Sequence, residues 1–220
     1  MSLTLYFHPL SSYCHKVLIA LNECGVEFER RIINLGNDAD RLELQLLWPM
    51  GKFPVLHDPL RKRDVAESSV IIEYLDHYYG GLHPLLPSDW GRALDVRFWD
   101  RFFDNYVHSP MQEIVADRLR GTHADLSAAR TTLATAYGMI ERQFVGNRWI
   151  AGDDFSLADC AAAPALFYAS TLVPFPAECP GLSAYFERLA LRPSFERVIE
   201  EAKPYFGFYP FADKLPQRFR

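Results

Sequence analysis

The sequence predicts an α/β domain over residues 1–80, a linker over 81–90 and an all-helical domain over 91–220. Two observations carry that reading. The first eighty residues alternate short β-prone runs with runs of helical periodicity. After the Pro- and Gly-rich stretch GGLHPLLPSDWG the strand signals stop, which puts the boundary near residue 82. The length fits: 220 residues, 49% hydrophobic and 23% charged, suit two small domains that bury a core without staples.

Taken in order, LTLYF (3–7) is a short strand, closed by Pro9 and the serines. KVLIALNECG follows with Val17, Leu18, Ala20 and Leu21 on one helical face and Gly25 as its stop. VEFERRIIN reads as a second strand, and a strand–helix–strand unit makes a parallel pair with a right-handed crossover. DADRLELQLL is a short helix, while FPVLHD and RDVAE flank PLRK as a hairpin. SSVIIEYLDHYYGG is a helix with Val70, Ile71, Tyr74, Leu75 and Tyr78 on one side. The order β-α-β-α-β-β-α is that of a thioredoxin-like domain. Beyond the linker come four helical stretches: RALDVRFWDRFFDNYVHSPMQEIVADRL, LSAARTTLATAYGMIERQFVG, SLADCAAAPALFYASTL and LSAYFERLALRPSFERVIEEA.

Composition excludes several classes. A net charge of −5 argues against nucleic acid or an acidic membrane as partner. The four cysteines (14, 24, 160, 179) lack metal-ligand spacing and no His-x-x-x-His pair occurs, so no metal is expected. Neither a secretory signal nor an apolar run of membrane-spanning length is visible. The expectation is a soluble protein of the reduced cytoplasm.

Four local motifs carry chemistry. Ser11-Ser12-Tyr13-Cys14 opens the first helix, where either serine suits an N-cap. A helix N-terminus also favours a thiolate, and a hydroxyl donating to sulfur favours it further. In thioredoxin-like proteins this location holds Cys-x-x-Cys; here Ser11 replaces the first cysteine, so the sulfur must come from outside. Cys14 reads as a packed small residue. The second motif, WPMGKFPVL, sets a proline just ahead of a strand. In the third, Glu67-Ser68 sits at a strand-to-helix passage. Ser68 suits an N-cap, free N–H groups at a helix start bind a carboxylate, and Glu67 supplies charge for an ammonium. The fourth, Ser156-x-x-Asp159, is a capping-box variant with Phe155 placed to staple against Cys160, and its role is structural.

With these motifs the chain resembles the cytosolic glutathione transferases over essentially its whole length, in the serine-type branch (theta-like, zeta-like or a related bacterial class). The resemblance implies glutathione as co-substrate, a hydrophobic electrophile as second substrate, and a homodimer. It puts the catalytic serine on Ser11, with neighbouring Ser12 left open and Tyr6 as the alternative used by another branch. It implies a cis Phe53–Pro54 bond, Val55 pairing its backbone with the cysteinyl part of glutathione, Lys52 meeting the glycyl carboxylate, and Glu67 with Ser68 taking the γ-glutamyl end. Phe53 and Trp48 depart from the family's usual branched aliphatic residue and asparagine. Trp99 and Phe103 of the aromatic-rich helix would line the electrophile pocket, and the tail YFGFYPF would close the cleft or lie on the helical domain. The rival activities are a maleylacetoacetate-type isomerase, a dehalogenase, a thiol-disulfide reductase and a non-catalytic interaction module.

Overall fold

The structure is a computed structural model that describes residues 2–81, 83–144 and 147–219. The boundary expected near residue 82, and the last two residues of the helical run ending at 146, lie outside the described residues.

Strand β1 (Leu3–Phe7) alternates strictly, so its two faces do different work. Leu3, Leu5 and Phe7 enter the main core, whereas Tyr6 packs with a small cluster of Ile33, Leu44 and Val55 on the opposite face. Helix α1 (Ser12–Cys24) follows, and the parallel β2 (Phe28–Ile32) returns beside β1. After α2 (Asp38–Leu47), β3 (Val55–Asp58) pairs antiparallel with β1, and β4 (Arg63–Ala66) pairs antiparallel with β3. The sheet order is β2-β1-β3-β4.

Helix α1 is closed at both ends as its sequence implies. Ser11 caps its start and Gly25, at φ 65°, its end. Every residue from Cys14 to Leu21 is buried, because α1 packs against α3 (Ser68–Tyr79) on one side and against α7 (Leu157–Leu172) and α9 (Pro193–Ala202) on the other. In α3 the buried face is Ser68, Ile71, Ile72, Tyr74 and Leu75. Val70 and Tyr78, eight positions apart and read as part of that face, are solvent-exposed instead. The hairpin is locked from below by Asp58, fully buried, which accepts hydrogen bonds from the Tyr74 and Tyr79 hydroxyls at 2.7 and 2.6 Å.

The long helical run beyond the linker is continuous but not uniform. Helix α4 (Trp90–Phe102) widens into a π-helical stretch, Phe103–His108, before α5 (Ser109–Arg120). Pro110 explains the widening: it has no N–H for the preceding turn, and the Ser109 N–H reaches back to the Asp104 carbonyl. Helices α6 (Ser127–Gln143) and α8 (Pro180–Ala190) complete the layer around α7. The start of α7 is set by Asp159, whose carboxylate accepts from the Ser156 N–H, the Ile150 N–H and the Tyr185 hydroxyl at 2.9, 3.1 and 2.6 Å. The tail lies on the helical layer, with Phe206 stacked on Phe167 and Tyr209 against Tyr168.

Candidate active site

A cavity of about 550 Å³ opens between the start of α3, the segment ahead of β3 and one face of α4. Lys52, Phe53, Pro54, Glu67 and Ser68 line it, so two stretches singled out separately in the sequence meet in one place. Tyr13, Trp48, Ser69, Arg97, Arg101 and Asp104 also stand in the wall. A cavity of about 520 Å³ beside Trp149 and Phe155 holds two ion pairs, Arg192 with Glu23 and Arg92 with Asp154.

The two chain stretches are aimed by local geometry. The Phe53–Pro54 bond is cis. Neither the N–H nor the C=O of Phe53 is hydrogen-bonded among the described residues. Glu67 has φ 69° and ψ 116°, a conformation that costs a side-chain-bearing residue about 1–3 kcal/mol and is held by the strand before it and the helix after it. That bend brings the free N–H groups of the first turn of α3, with Ser68 at its head, to the cavity.

Val55 must be corrected. It is fully buried in β3 and flanked on both sides, in register with Tyr6 of β1 and Ala66 of β4. No backbone edge is left there for an added strand; the open backbone lies two residues earlier, at Phe53. Trp99 and Phe103 must be corrected too. Both are buried in a ring cluster with Phe102, at centroid distances of 4.8 and 5.8 Å, and neither lines the cavity. The face that α4 and the π-helical stretch turn to the cavity carries Arg97, Asp100, Arg101 and Asp104.

Ser11 and Ser12 differ sharply. Ser11 is half-buried at the N-cap, and its Oγ accepts the Cys14 N–H at 3.3 Å. Ser12 is 2% exposed and accepts from Gln112 of α5 at 3.5 Å. Neither lines the cavity, but Tyr13 does. Cys14 is inert: burial pushes its thiol up to about 12 despite hydrogen bonds from Ser11 and the His8 backbone. Tyr6 is on the α2 face of the sheet, packed beside Val55 and Leu44. Its hydroxyl is raised by burial and by Glu43 and Asp64.

Beside Ser11 stands a group of rings that sequence reading missed. His8 stacks on Phe53 at 6.0 Å and meets the edge of Tyr205 from the tail at 5.9 Å. The Ser11 N–H bonds to the His8 carbonyl at 3.0 Å. Burial lowers the His8 imidazole, which favours its neutral form. The tail therefore lies on the helical layer while its Tyr205 reaches the sheet domain. Among the described residues no group of His, Cys, Asp and Glu is arranged to hold a metal.

These features coincide with what is known of similar proteins. The family profile for "Glutathione S-transferase, N-terminal domain" matches residues 10–78 and that for "Glutathione S-transferase, C-terminal domain" matches 105–193. Glutathione S-transferase U22 of Arabidopsis thaliana is 30% identical over 211 residues, covering 93% of this chain and 92% of its own. A Methylobacterium radiotolerans glutathione S-transferase solved with glutathione sulfonate is 28% identical, with a TM-score of 0.78 over 90% of this chain and 94% of its own. An epsilon-class enzyme from the housefly Musca domestica shares the fold at a TM-score of 0.86 and 21% identity, covering 97% of this chain and all of the other. The chain belongs to the glutathione S-transferase family, with a thioredoxin-like sheet domain followed by a helical one.

Proposed function

We propose that this chain binds glutathione in the cavity between α3 and α4 and presents its thiolate to a hydrophobic electrophile at the first turn of α1. The carrying observation is that Lys52, Phe53, Pro54, Glu67 and Ser68 meet in one cavity. The γ-glutamyl carboxylate takes the α3 N-terminus and the Ser68 hydroxyl, and acidic groups led by Glu67 take the ammonium. The cysteinyl backbone pairs with the open N–H and C=O of Phe53. Lys52, exposed at the rim, meets the glycyl carboxylate.

The sulfur then lies over the start of α1. There the helix N-terminus and the Ser11 hydroxyl stabilise the thiolate. Each pKa unit of lowering is worth about 1.4 kcal/mol, and two units bring most of the thiol into the ionised form near neutrality. The thiolate attacks an electrophilic carbon, forming the C–S bond while the leaving group departs with its electron pair. The protein otherwise contributes proximity. The rings of His8, Phe53 and Tyr205 form the apolar wall on the electrophile side, a role that suits planar aromatic substrates.

Two further parts of the reading concern setting. Trp90, Leu94 and Phe98 form an exposed stripe along α4, with exposed Val70 on neighbouring α3, which suits a two-fold homodimer. The four cysteines are all unpaired, which is compatible with a reduced cytoplasm. No described helix is long and apolar enough to cross a membrane.

The test is calorimetric titration with glutathione across pH, on the parent and on Ser11→Ala. Retained binding with the bound thiol pKa raised by about two units supports the assignment. Unchanged ionisation moves the role away from Ser11. Parallel assays with an aromatic electrophile and a cis-enone separate transferase from isomerase activity.

A further inference from the structure

Lys16 is fully buried, yet the reaction makes no direct use of it. Its Nζ donates to Ser69 Oγ at 2.8 Å and to the two Asp104 carboxylate oxygens at 3.1 and 3.3 Å. Asp100 Oδ1 stands 2.5 Å away as an ion pair. Arg101 closes the group from the cavity side, bonding Ser69 Oγ, Asp100 and Asp104. His108, fully buried, adds an Nδ1 contact to Asp104 at 3.2 Å. Burial pushes the Asp104 carboxyl up, but His108, Lys16 and Arg101 together hold it below its usual range.

The placement gives this cluster a purpose. Ser68, Ser69, Asp100, Arg101 and Asp104 all line the glutathione cavity, whereas Lys16 does not. Lys16 lies beneath the floor, on the helix that begins at Ser11, and touches α3 and the α4 end simultaneously. Breaking such a buried set leaves uncompensated carboxylates, which then turn to the nearest remaining cation, Arg101.

We propose that Lys16 is a positioning residue for glutathione: its ammonium pins Ser69 and Asp104 so that the first turn of α3 and the Arg101 guanidinium are set to receive the γ-glutamyl end. This rests on glutathione occupying that cavity. Lys16 acts on the amino-acid end of the tripeptide, while Ser11 acts on its sulfur, so the two roles separate experimentally.

The experiment uses the full-length protein and its Lys16→Met, Lys16→Arg, Ser69→Ala and Lys16→Met/Ser69→Ala variants, each titrated with glutathione, γ-glutamylcysteine and cysteinylglycine. Lys16→Met is expected to weaken glutathione and γ-glutamylcysteine by the same factor, about tenfold or more for lost hydrogen bonds to charge. Cysteinylglycine binding, kcat at saturating glutathione and the bound thiol pKa stay put. Lys16→Arg recovers most of the loss. Ser69→Ala costs affinity in the parent background but little on top of Lys16→Met, since the two act as one unit. Should Lys16→Met fail to fold, Ser69→Ala carries the same selective readout. Equal weakening of all three ligands, or none, overturns the positioning role and leaves the Ser11 assignment intact. A parent protein that binds no glutathione overturns both.

Discussion

His15 makes the stability of this fold begin to fall with pH before the carboxylates titrate. The imidazole is fully buried, and its Nε2 lies 2.5 Å from the Pro9 carbonyl. A carbonyl only accepts, so Nε2 carries the proton and Nδ1 bears a lone pair, which has no partner among the described residues. A second proton would have to sit on Nδ1, in an apolar site against the Tyr168 ring at 5.7 Å. Burial, aided by nearby His108 and His8 and opposed by the Pro9 carbonyl, lowers the group from 6.5 to about 4. A histidine lowered on folding contributes its full stability above its unfolded pKa and loses it as pH falls toward the folded value. The window is therefore pH 6.5 to 4, and at pH 4.5 the loss relative to pH 8 comes to roughly 2.5 kcal/mol. Urea unfolding of the parent and of His15→Gln, which keeps a donor for Pro9, measures this at pH 8, 6 and 4.5. The difference in stability between the two proteins should shift in favour of the variant by about that amount as pH falls. Parallel curves would refute the linkage, because His108 and the carboxylates are common to both proteins.

Two other perturbations follow from buried carboxylates. Asp58 sits at about 2, since hydrogen bonds from Tyr74, Tyr79 and the Arg61 backbone outweigh the upward push of burial. Its contribution is complete above pH 4 and is lost as pH falls through 2, about 2 kcal/mol in all; Tyr74→Phe should raise the acid-unfolding midpoint, followed by far-ultraviolet circular dichroism. Asp159→Ala strands the Ser156 and Ile150 N–H groups and the Tyr185 hydroxyl, and should cost about 3 kcal/mol or more by denaturant titration. Glutathione affinity of the folded fraction should stay unchanged, since Asp159 lies far along the chain from the cavity wall and lines none of it.

How much of this could be read beforehand varies with how local the signal is. Helix α1 was legible because Ser11, the apolar spacing and Gly25 all act within one element. Glu67 and Ser68 were legible for the same reason, since a strand-to-helix bend and a helix N-terminus are properties of adjacent residues. Val55 failed because its availability depends on which strands flank it, and β3 lies between β1 and β4. Trp99 and Phe103 failed on helical phase. Rings at Phe98, Trp99, Phe102, Phe103 and Tyr106 share one broad arc, so helical phase alone does not separate the buried rings from the exposed ones, and the π-helical stretch shifts the phase again. The better signal was the charge within that run: Arg97, Asp100, Arg101 and Asp104 at spacings of three and four mark the side facing the cavity. No local pattern marks Lys16, and it is buried where α3 and the end of α4 meet α1. His8 and Tyr205 lie nearly two hundred residues apart, and no local pattern links them.

The enclosure of α1 sets a limit on how this chain can be divided. From Cys14 to Leu21 it has no side that meets water, since α7 and α9 cover what the sheet and α3 leave open. Cut away from its helical companion, the leading segment would bare a greasy flank carrying an orphaned ammonium at Lys16, and would clump rather than fold. Fusions, split reporters and shuffled chimeras should therefore move both lobes together, or exchange the buried helix along with the surface that covers it.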